Sequence, residues 1–212
     1  MKSRSFLRWL PRLALVVLLL LVAVQLWFAA WIAWWRWNDP AETAFMRREI
    51  AALQARNPRA ELRHRWVPYE RISVSLKRAV ITAEDARFAE HEGVDWEAIE
   101  KAYQDNLRRG RPARGGSTIT QQLAKNLFLS PERSYVRKAQ ELVITYMIEA
   151  FWDKRRILEV YLNVVEWGEG VFGAEAAARY YFGVSASQLG PEQAARLAAF
   201  LPNPKRYGRI RS

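Results

Sequence analysis

A glutamate on the apolar side of a predicted helix is the first feature of this sequence that could do chemistry. Apolar residues recur at every fourth position, and Glu84 falls among them on the same stripe: Ile72, Leu76, Val80 and Phe88. Side chains spaced four positions apart share one face of a helix. A carboxylate there is partly desolvated, which makes it a better proton acceptor near neutral pH. Taken alone, the pattern favours a surface carboxylate at the edge of the stripe, and a general base is the functional alternative.

The residues after Glu84 could shape a loop beside it. Asp85 follows directly, and His91 stands two positions before Gly93. Both side chains carry hydrogen-bonding groups, and they could orient the loop that ends at Gly93. Taken alone, a histidine in such a place is more often structural than catalytic.

A glycine turn runs into a second predicted helix. Glycines at 115 and 116 precede Ser117 and Thr118, either of which could cap the helix, and Gln121 stands three residues after Thr118. A hydroxyl followed at that distance by a glutamine is the pattern of a capping box. A helix N-terminus fed by a glycine turn is also a natural site for an anion.

Polar side chains line one face of this helix. Thr118, Gln122 and Lys125 stand at i, i+4 and i+7, so their hydrogen-bonding groups point to the same side. An ordinary capped amphipathic helix would explain the apolar residues on the neighbouring face. It would not explain so many uncharged polar residues together, which favours a functional role.

Two cations and a carboxylate cluster further along the chain. Arg137 and Lys138 stand four and three residues before Glu141, so all three lie on one helical face. As surface ion pairs they would contribute only ~0.2–0.5 kcal/mol each. The functional alternative is a diphosphate clamp, in which the guanidinium and ammonium groups neutralise a departing phosphate.

Composition limits the partners. The 212 residues carry a net charge of +11, which favours an anionic partner such as phosphate groups or anionic lipid. The basic residues do not form the stripe, or the base-stacking aromatic pattern, of a nucleic-acid module, so no nucleic acid is expected. There is no cysteine, which excludes a disulfide framework and a thiolate metal site.

The N-terminus predicts a membrane anchor. About 20 residues over 13–32 are uncharged, which as a helix span roughly 30 Å, the thickness of the hydrocarbon layer. Four basic residues precede the run: Lys2, Arg4, Arg8 and Arg12. Five tryptophans crowd its far end: Trp27, Trp31, Trp34, Trp35 and Trp37. We expect a cytoplasmic tail over 1–12 and a transmembrane helix over 13–35. A cleaved signal peptide is the disfavoured alternative, since its apolar region is shorter and ends in small residues.

The rest of the chain is expected to be helical. Over 36–66 we predict a juxtamembrane segment in which Met46, Ile50 and Leu53 lie on one side of a helix against the headgroups, with a solvated connector an equal alternative. Residues 67–212 are expected to form one domain without strands. The GxGxxG spacing over 168–173 is interpreted as a glycine-rich turn between helices, since no strand precedes it.

Four segments resemble, in order, the motifs of the family 51 glycosyltransferases, the peptidoglycan transglycosylases: 84–93, 115–126, 137–141 and 157–163. The resemblance runs from about residue 66 to about residue 207 and is highly specific because all four occur in order. Bifunctional members carry a penicillin-binding domain after this one. The chain ends at Ser212 without a Lys-Thr-Gly box, so a monofunctional member is expected.

The resemblance implies a mainly α, lysozyme-like domain after the transmembrane helix. It implies polymerisation of a lipid-linked disaccharide-pentapeptide (lipid II) with a lipid-linked nascent glycan, inversion to a β-1,4 linkage and release of polyprenyl diphosphate. Glu84 matches the general base, and Glu141 matches a second catalytic carboxylate. Substrate binding is expected at the other matched positions: Asp85, Phe88, His91, Ser117, Thr118, Gln122, Lys125, Asn126, Arg137 and Lys138.

The resemblance also sets expectations for cofactor, partners and location. No cofactor is required, although a divalent cation, Mg²⁺ or Mn²⁺, could bind at Glu141. The partners are lipid II, the nascent glycan, the membrane, and other proteins of cell-wall synthesis and division. The expected location is the bacterial cytoplasmic (inner) membrane, crossed once, with the catalytic domain on the periplasmic side.

Two alternatives remain. A lysozyme-like hydrolase or lytic transglycosylase shares a helical fold and a catalytic glutamate. Such an enzyme needs a protonated acid at a sugar–sugar bond, whereas Arg137 and Lys138 suit an anionic leaving group. A catalytically silent interaction protein is disfavoured because every expected polar position is present.

Overall fold

Residues 3–109, 116–132 and 134–208 are described by the structure, a computed structural model. The chain separates into two units, one up to Asn38 and the other from Asp39 onward. The first unit consists of helix α1, Ser3–Trp35. Within it, Trp9–Trp34 has a mean hydropathy of 2.7 and is long and apolar enough to cross a membrane. The predicted apolar helix is therefore present, and it begins before residue 13.

The second unit is built from helices of moderate length and one small sheet. In chain order its helices are α2 (Ala44–Gln54), α3 (Val74–Glu84), α4 (Trp96–Arg109), α5 (Ile119–Phe128), α6 (Tyr135–Phe151), α7 (Lys154–Val164), α8 (Ala174–Phe182), α9 (Pro191–Phe200) and α10 (Pro204–Tyr207). Short 3-10 turns lie at Tyr69–Arg71 and Ala186–Gln188. The expectation of a mainly α fold is confirmed.

Helix α3 carries the apolar stripe and packs against α9. It begins at Ser73, whose hydroxyl accepts from the backbone N–H of Leu76 at 3.0 Å. Ile72, Leu76 and Val80 are buried, as their spacing predicts. The stripe thus anchors α3 in the core and places its last residue, Glu84, at the end of a fixed helix.

Helix α5 runs through the centre of the second unit and packs against α2, α6 and α7. Its apolar side chains Ile119, Leu123 and Leu127 are buried, so the predicted apolar face does pack. Because α5 is fixed on several sides, its polar face is held rigidly toward the end of α3.

A three-stranded sheet is the main departure from the predicted all-helical domain. The strands are β1 (Arg63–His64), β2 (Glu166–Gly168) and β3 (Val171–Phe172), in the order β1-β3-β2, with β1 parallel and β2 antiparallel to β3. The glycine-rich segment over 168–173 is therefore a hairpin between α7 and α8. Strands this short leave no alternating pattern to detect in a sequence.

Helix α2 belongs to the second unit, which begins at Asp39 and not at the expected boundary of 67. Its N-cap is Thr43, and Met46 is almost fully buried as α2 packs against α5. The apolar side of this helix, which was expected to lie on headgroups or in solvent, contributes to the core at Met46. Ile50 and Leu53 are half-buried.

Candidate functional site

Glu84 is the last residue of α3, and its carboxylate is half-buried. The helix stops there, so Phe88 lies in the following turn and not on the same helical stripe. A side chain at a helix end can project past the packed interface while its backbone stays fixed by the buried turns before it. Glu84 is accordingly held by the core without being enclosed by it.

The predicted polar face of α5 reaches Glu84 through Gln122. The Gln122 Nε2 donates to Oε2 of Glu84 at 2.7 Å. The other end of the same amide, Oε1, accepts from the hydroxyl of Tyr161 at 2.9 Å. Tyr161 lies on α7 and is fully buried. Three helices therefore contribute to one hydrogen-bonded chain that ends on the carboxylate.

Asp85 and His91 hold the loop after α3, as expected from the sequence. Asp85 Oδ1 lies 2.8 Å from Nε2 of His91, and the other ring nitrogen, Nδ1, accepts from the backbone N–H of Gly93 at 3.1 Å. Because Nδ1 accepts, Nε2 carries the proton and donates to Asp85. The imidazole thus bridges the two ends of the loop and is buried.

The expected anion site at the start of α5 is filled by the protein itself. Asp85 Oδ2 accepts from the backbone N–H of Ile119 at 3.0 Å. A carboxylate at this place satisfies an unpaired helical N–H and interacts favourably with the helix dipole. The α5 N-terminus is therefore used to fix Asp85, and with it the residue next to Glu84.

Thr118 caps α5, and the predicted capping box is confirmed. Its Oγ1 accepts from the backbone N–H of Gln121 at 3.2 Å, and Gln121 Oε1 accepts from the backbone N–H of Thr118 at 3.1 Å. The Thr118 hydroxyl also donates to the carbonyl of Gly93 at 2.6 Å. Gly93 has φ +87°, and a Cβ there would come within 2.7 Å of Thr145 Cγ2, so only glycine fits this turn.

Three cations surround the carboxylate of Glu141: Lys125, Arg137 and Lys138. Together with Glu141 they are called the cationic cluster. Arg137 Nη1 and Lys138 Nζ each lie 2.5 Å from an oxygen of Glu141. Glu141 is buried, whereas the Lys138 side chain remains 46% exposed. Lys138 Nζ also lies 3.4 Å from the Ser117 hydroxyl at the start of α5. The predicted cluster forms with one of its cations open to solvent.

Lys125 joins this cluster from α5. Burial lowers the pKa of Lys125, an effect that Glu141 opposes, while Arg137 and Lys138 lower that pKa further and Glu84 raises it. Glu84 therefore lies within electrostatic range of the cationic cluster. A half-buried carboxylate and a group of cations therefore lie in one region of the second unit.

Two cavities meet at Glu84. The first, of about 450 Å³, is lined by the loop after Glu84, by α4 and by the start of α5, including Lys101 and Ser117. The second, of about 410 Å³, is lined by α9 and the segment after it, including Arg196 and Tyr207. Ala83 and Glu84 line both. The carboxylate can thus be approached from two sides.

The sequence matches the transglycosylase family over residues 49–212. The chain belongs to the transglycosylase family. It is 63% identical over 202 residues to a biosynthetic peptidoglycan transglycosylase of Azoarcus sp. (strain BH72), covering 95% of this chain and 87% of that one. It is 61% identical over 204 residues to a biosynthetic peptidoglycan transglycosylase of Aromatoleum aromaticum, covering 96% of this chain and 89% of that one. It is 57% identical over 212 residues to a biosynthetic peptidoglycan transglycosylase of Bordetella pertussis, covering 98% of this chain and 88% of that one. The resemblance drawn from the motifs is confirmed, and this transglycosylase is a glycosyltransferase.

Several residues expected to bind substrate are buried and make contacts inside the transglycosylase fold. Phe88 is buried, and the Lys154 ammonium lies 4.7 Å from the centre of its ring. Asn126 is buried, and its amide donates to the backbone carbonyl of Gln122 at 2.8 Å. His91 is held between Asp85 and Gly93. These side chains support the site, whereas Glu84, Ser117 and Lys138 reach its surface. Residue 115 of the second motif lies outside the described residues.

Sequence reasoning missed two groups near the site. Tyr161 lies in the fourth motif segment, 157–163, and was given no role, although its hydroxyl donates to Gln122. Arg87, Asp95 and Lys101 line the first cavity, with Arg87 Nη2 3.3 Å from Asp95 Oδ1. A tyrosine with a fully buried hydroxyl must find a partner. The presence of Tyr in an otherwise apolar run was the available signal.

The donor sets present do not fit a divalent cation. Both oxygens of Glu141 are engaged by the cations of the cluster. Among the described residues, one group of three acidic or histidine side chains lies close enough to share an ion: Asp85, His91 and Asp95. Both oxygens of Asp85 and both ring nitrogens of His91 are already hydrogen-bonded.

Proposed function

We propose that this glycosyltransferase polymerises lipid II into β-1,4-linked glycan strands, with Glu84 as the general base. The observation that carries the proposal is the position of Glu84, on the border of two cavities and within range of the cationic cluster. A polymerising transferase must hold two sugars at one reacting centre. The names of its relatives, biosynthetic peptidoglycan transglycosylases, support peptidoglycan precursor as the substrate.

The proposed reaction is a single displacement. The acceptor's 4-hydroxyl oxygen attacks the anomeric carbon of the donor while its proton passes to Glu84. The bond from that carbon to the diphosphate oxygen breaks, and the electron pair leaves with the polyprenyl diphosphate. Attack opposite the leaving group inverts the anomeric carbon and gives the β linkage. General-base catalysis of this kind typically contributes about 10²–10⁴-fold in rate.

The cationic cluster is proposed to bind the diphosphate. Lys138 offers an exposed ammonium, and Arg137 has a buried Nε without a hydrogen-bond partner among the described residues. An unpaired buried donor beside an open ammonium suits an anionic oxygen. Glu141 is proposed to hold these two cations in place and not to act on the sugar.

The same contacts favour synthesis over hydrolysis. A glycosidase uses two carboxyl groups, one of which must donate a proton to the leaving oxygen. Glu141 accepts from two cations and is buried, so it is poorly placed for that role. A diphosphate with its charge compensated leaves without a proton donor.

The proposed location is the cytoplasmic membrane of a bacterium, with the catalytic unit on the outer side. Support comes from the apolar helix Trp9–Trp34, from the basic residues before it and from the tryptophans after it. Both substrates carry lipid tails and are confined to a bilayer surface. A reporter enzyme fused after Trp37 should be active only outside the cytoplasm; activity inside would overturn this orientation.

The test of the function uses the purified full-length protein in detergent with labelled lipid II. The expected result is polymer formation that persists in the presence of EDTA, because the donor sets at Glu141 and Asp85 do not fit a cation. Purified sacculi incubated in parallel should remain intact. Release of soluble muropeptides from sacculi, without polymer from lipid II, would instead support the lysozyme-like hydrolase.

A further inference from the structure

We propose that Tyr161 is a positioning residue for the base, because its hydroxyl fixes the Gln122 amide with Nε2, and not Oε1, facing Glu84. The inference rests on the proposed role of Glu84 as base. It concerns a residue that does not touch the cavities and acts through another side chain.

The geometry is a chain of three side chains from three helices. The Tyr161 hydroxyl donates to Gln122 Oε1 at 2.9 Å, and Gln122 Nε2 donates to Glu84 Oε2 at 2.7 Å. Tyr161 is fully buried in α7, so its ring cannot move without opening the core. In this row of three side chains Tyr161 is therefore the fixed residue, and Glu84 is the residue whose position it determines.

An amide has two ends of similar shape, and the difference between them matters here. An ionised carboxylate only accepts hydrogen bonds, so a Gln122 turned around would set Oε1 against the oxygens of Glu84. The Tyr161 hydroxyl opposes that turn because its proton needs an acceptor, and Oε1 is the acceptor that the described part of the chain provides. Burial, together with the charges of Glu84 and Asp85, raises the pKa of Tyr161 well above its usual value. The hydroxyl thus keeps its proton and remains a donor.

The consequence is that one oxygen of Glu84 is reserved and the other is free. Gln122 occupies Oε2, and no donor in the described part of the chain is bonded to Oε1. Oε1 is then the atom available to take the acceptor's proton. A base held within a few tenths of an ångström of its working position needs such a supporting layer.

The experiment is a double-mutant cycle measured by steady-state polymerisation of lipid II with the full-length protein. Tyr161→Phe removes the hydroxyl and keeps the ring. We expect kcat to fall about tenfold, with KM changed less than about twofold, because the substrate surface is untouched. Gln122→Ala should reduce kcat at least as much. The double variant should be no slower than Gln122→Ala alone, because the hydroxyl acts only through the amide.

Tyr181→Phe is the matched control. Its hydroxyl donates to the backbone carbonyl of Trp167 at 3.0 Å and lies 3.4 Å from that of Gly208, so the variant also loses partly buried hydrogen bonding. It should lower the melting temperature about as much as Tyr161→Phe while leaving kcat unchanged. Equal effects of the two variants on kcat would reduce Tyr161 to a structural role and overturn the proposal.

A second variant keeps the test valid if Tyr161→Phe does not fold. In its ionised form, the side chain of Gln122→Glu can still accept from Tyr161 but cannot donate to Glu84. It should lower kcat at least as much as Gln122→Ala, and wild-type turnover would overturn the proposal. Glu84→Gln distinguishes a failure of the positioning role of Tyr161 from a failure of Glu84 as the base. If Glu84→Gln is inactive while Tyr161→Phe and Gln122→Glu turn over normally, only the positioning role fails; if Glu84→Gln is active, the proposed base fails.

Discussion

The Gln122 amide donates to Oε2 of Glu84 across 2.7 Å, although the two residues are 38 positions apart in the chain. The contact joins the end of α3 to the polar face of α5. It supports one carboxylate oxygen of Glu84, the residue at which the two cavities meet.

Glu84→Gln should abolish polymerisation while leaving the fold intact. The substituted amide keeps the shape of the side chain but cannot accept the acceptor's proton, so the rate should fall about 10²–10⁴-fold. The measurement is polymer yield from lipid II, with thermal melting as the check on folding. Glu100→Gln, on the exposed side of α4, is the matched control and should remain active. Retention of more than about a tenth of wild-type turnover by Glu84→Gln would contradict the assignment.

Lys138→Ala should weaken turnover and donor binding together. The variant removes the exposed ammonium of the cationic cluster and leaves Glu141 paired with Arg137 alone. Loss of one preorganised charge at a developing anion costs about 10²-fold in kcat/KM. Arg78→Ala removes an exposed cation that lines neither cavity at Glu84 and serves as the control. Similar small effects of both changes would return Lys138 to the role of an ordinary surface ion pair.

Local patterns in the sequence were sufficient to predict part of this site. The capping box of Thr118 and Gln121 depends on residues three positions apart, and it is present. The buried stripe of α3 and the Glu141 cluster also rest on spacings of three or four residues. Such patterns follow from helix geometry alone, which is why they can be read before the fold is known.

Contacts between distant segments could not be read in the same way. Asp85 bonds the backbone of Ile119, 34 positions away, and Tyr161 bonds Gln122, 39 positions away. The sequence placed an anion at the start of α5 but could not show that Asp85 itself fills this place. The three short strands, and the inclusion of α2 in the second unit, also depend on tertiary packing.

Asp85→Asn should destabilise the protein, in contrast to Glu84→Gln. Asp85 is buried and accepts from both His91 and the α5 N-terminus, so one of these bonds is lost or weakened when the charge is removed. The expected loss is about 1–3 kcal/mol, seen as a lower melting temperature together with reduced activity. Asp105→Asn, on α4, is the control and should leave both unchanged. An unchanged melting temperature in Asp85→Asn would refute its role in holding the loop.

A largely buried carboxylate away from the active site, that of Glu166, should make the stability depend on pH. Glu166 lies in β2 beside Glu49 and Lys205, and Lys205 makes a short ion pair with Glu49. The Lys205 ammonium lies 3.8 Å from Glu166 Oε1, too far for a hydrogen bond, and that oxygen has no hydrogen-bond partner among the described residues. Burial raises the pKa of Glu166 from 4.5 to about 7, with Lys205 opposing and Glu49 and Glu169 adding to the rise.

The sign of the effect follows from which state binds the proton. Below pH 4.5 Glu166 is protonated in both the folded and the unfolded chain and contributes no dependence. Between pH 4.5 and about 7 the unfolded chain loses the proton first, so the free energy of unfolding falls as the pH rises. The loss is about 3 kcal/mol once the pH exceeds the folded pKa.

The side chain of Glu166→Gln is uncharged throughout, so this variant should not lose stability in this way. The melting temperature of Glu166→Gln should therefore match that of the wild type near pH ~4 and exceed it by about 6–12 °C near pH ~8.5. Glu132→Gln, an exposed partner of Arg48, should show no such divergence with pH. A difference between Glu166→Gln and the wild type that stays constant over this range would mean that Glu166 is already ionised in the folded protein at pH ~5.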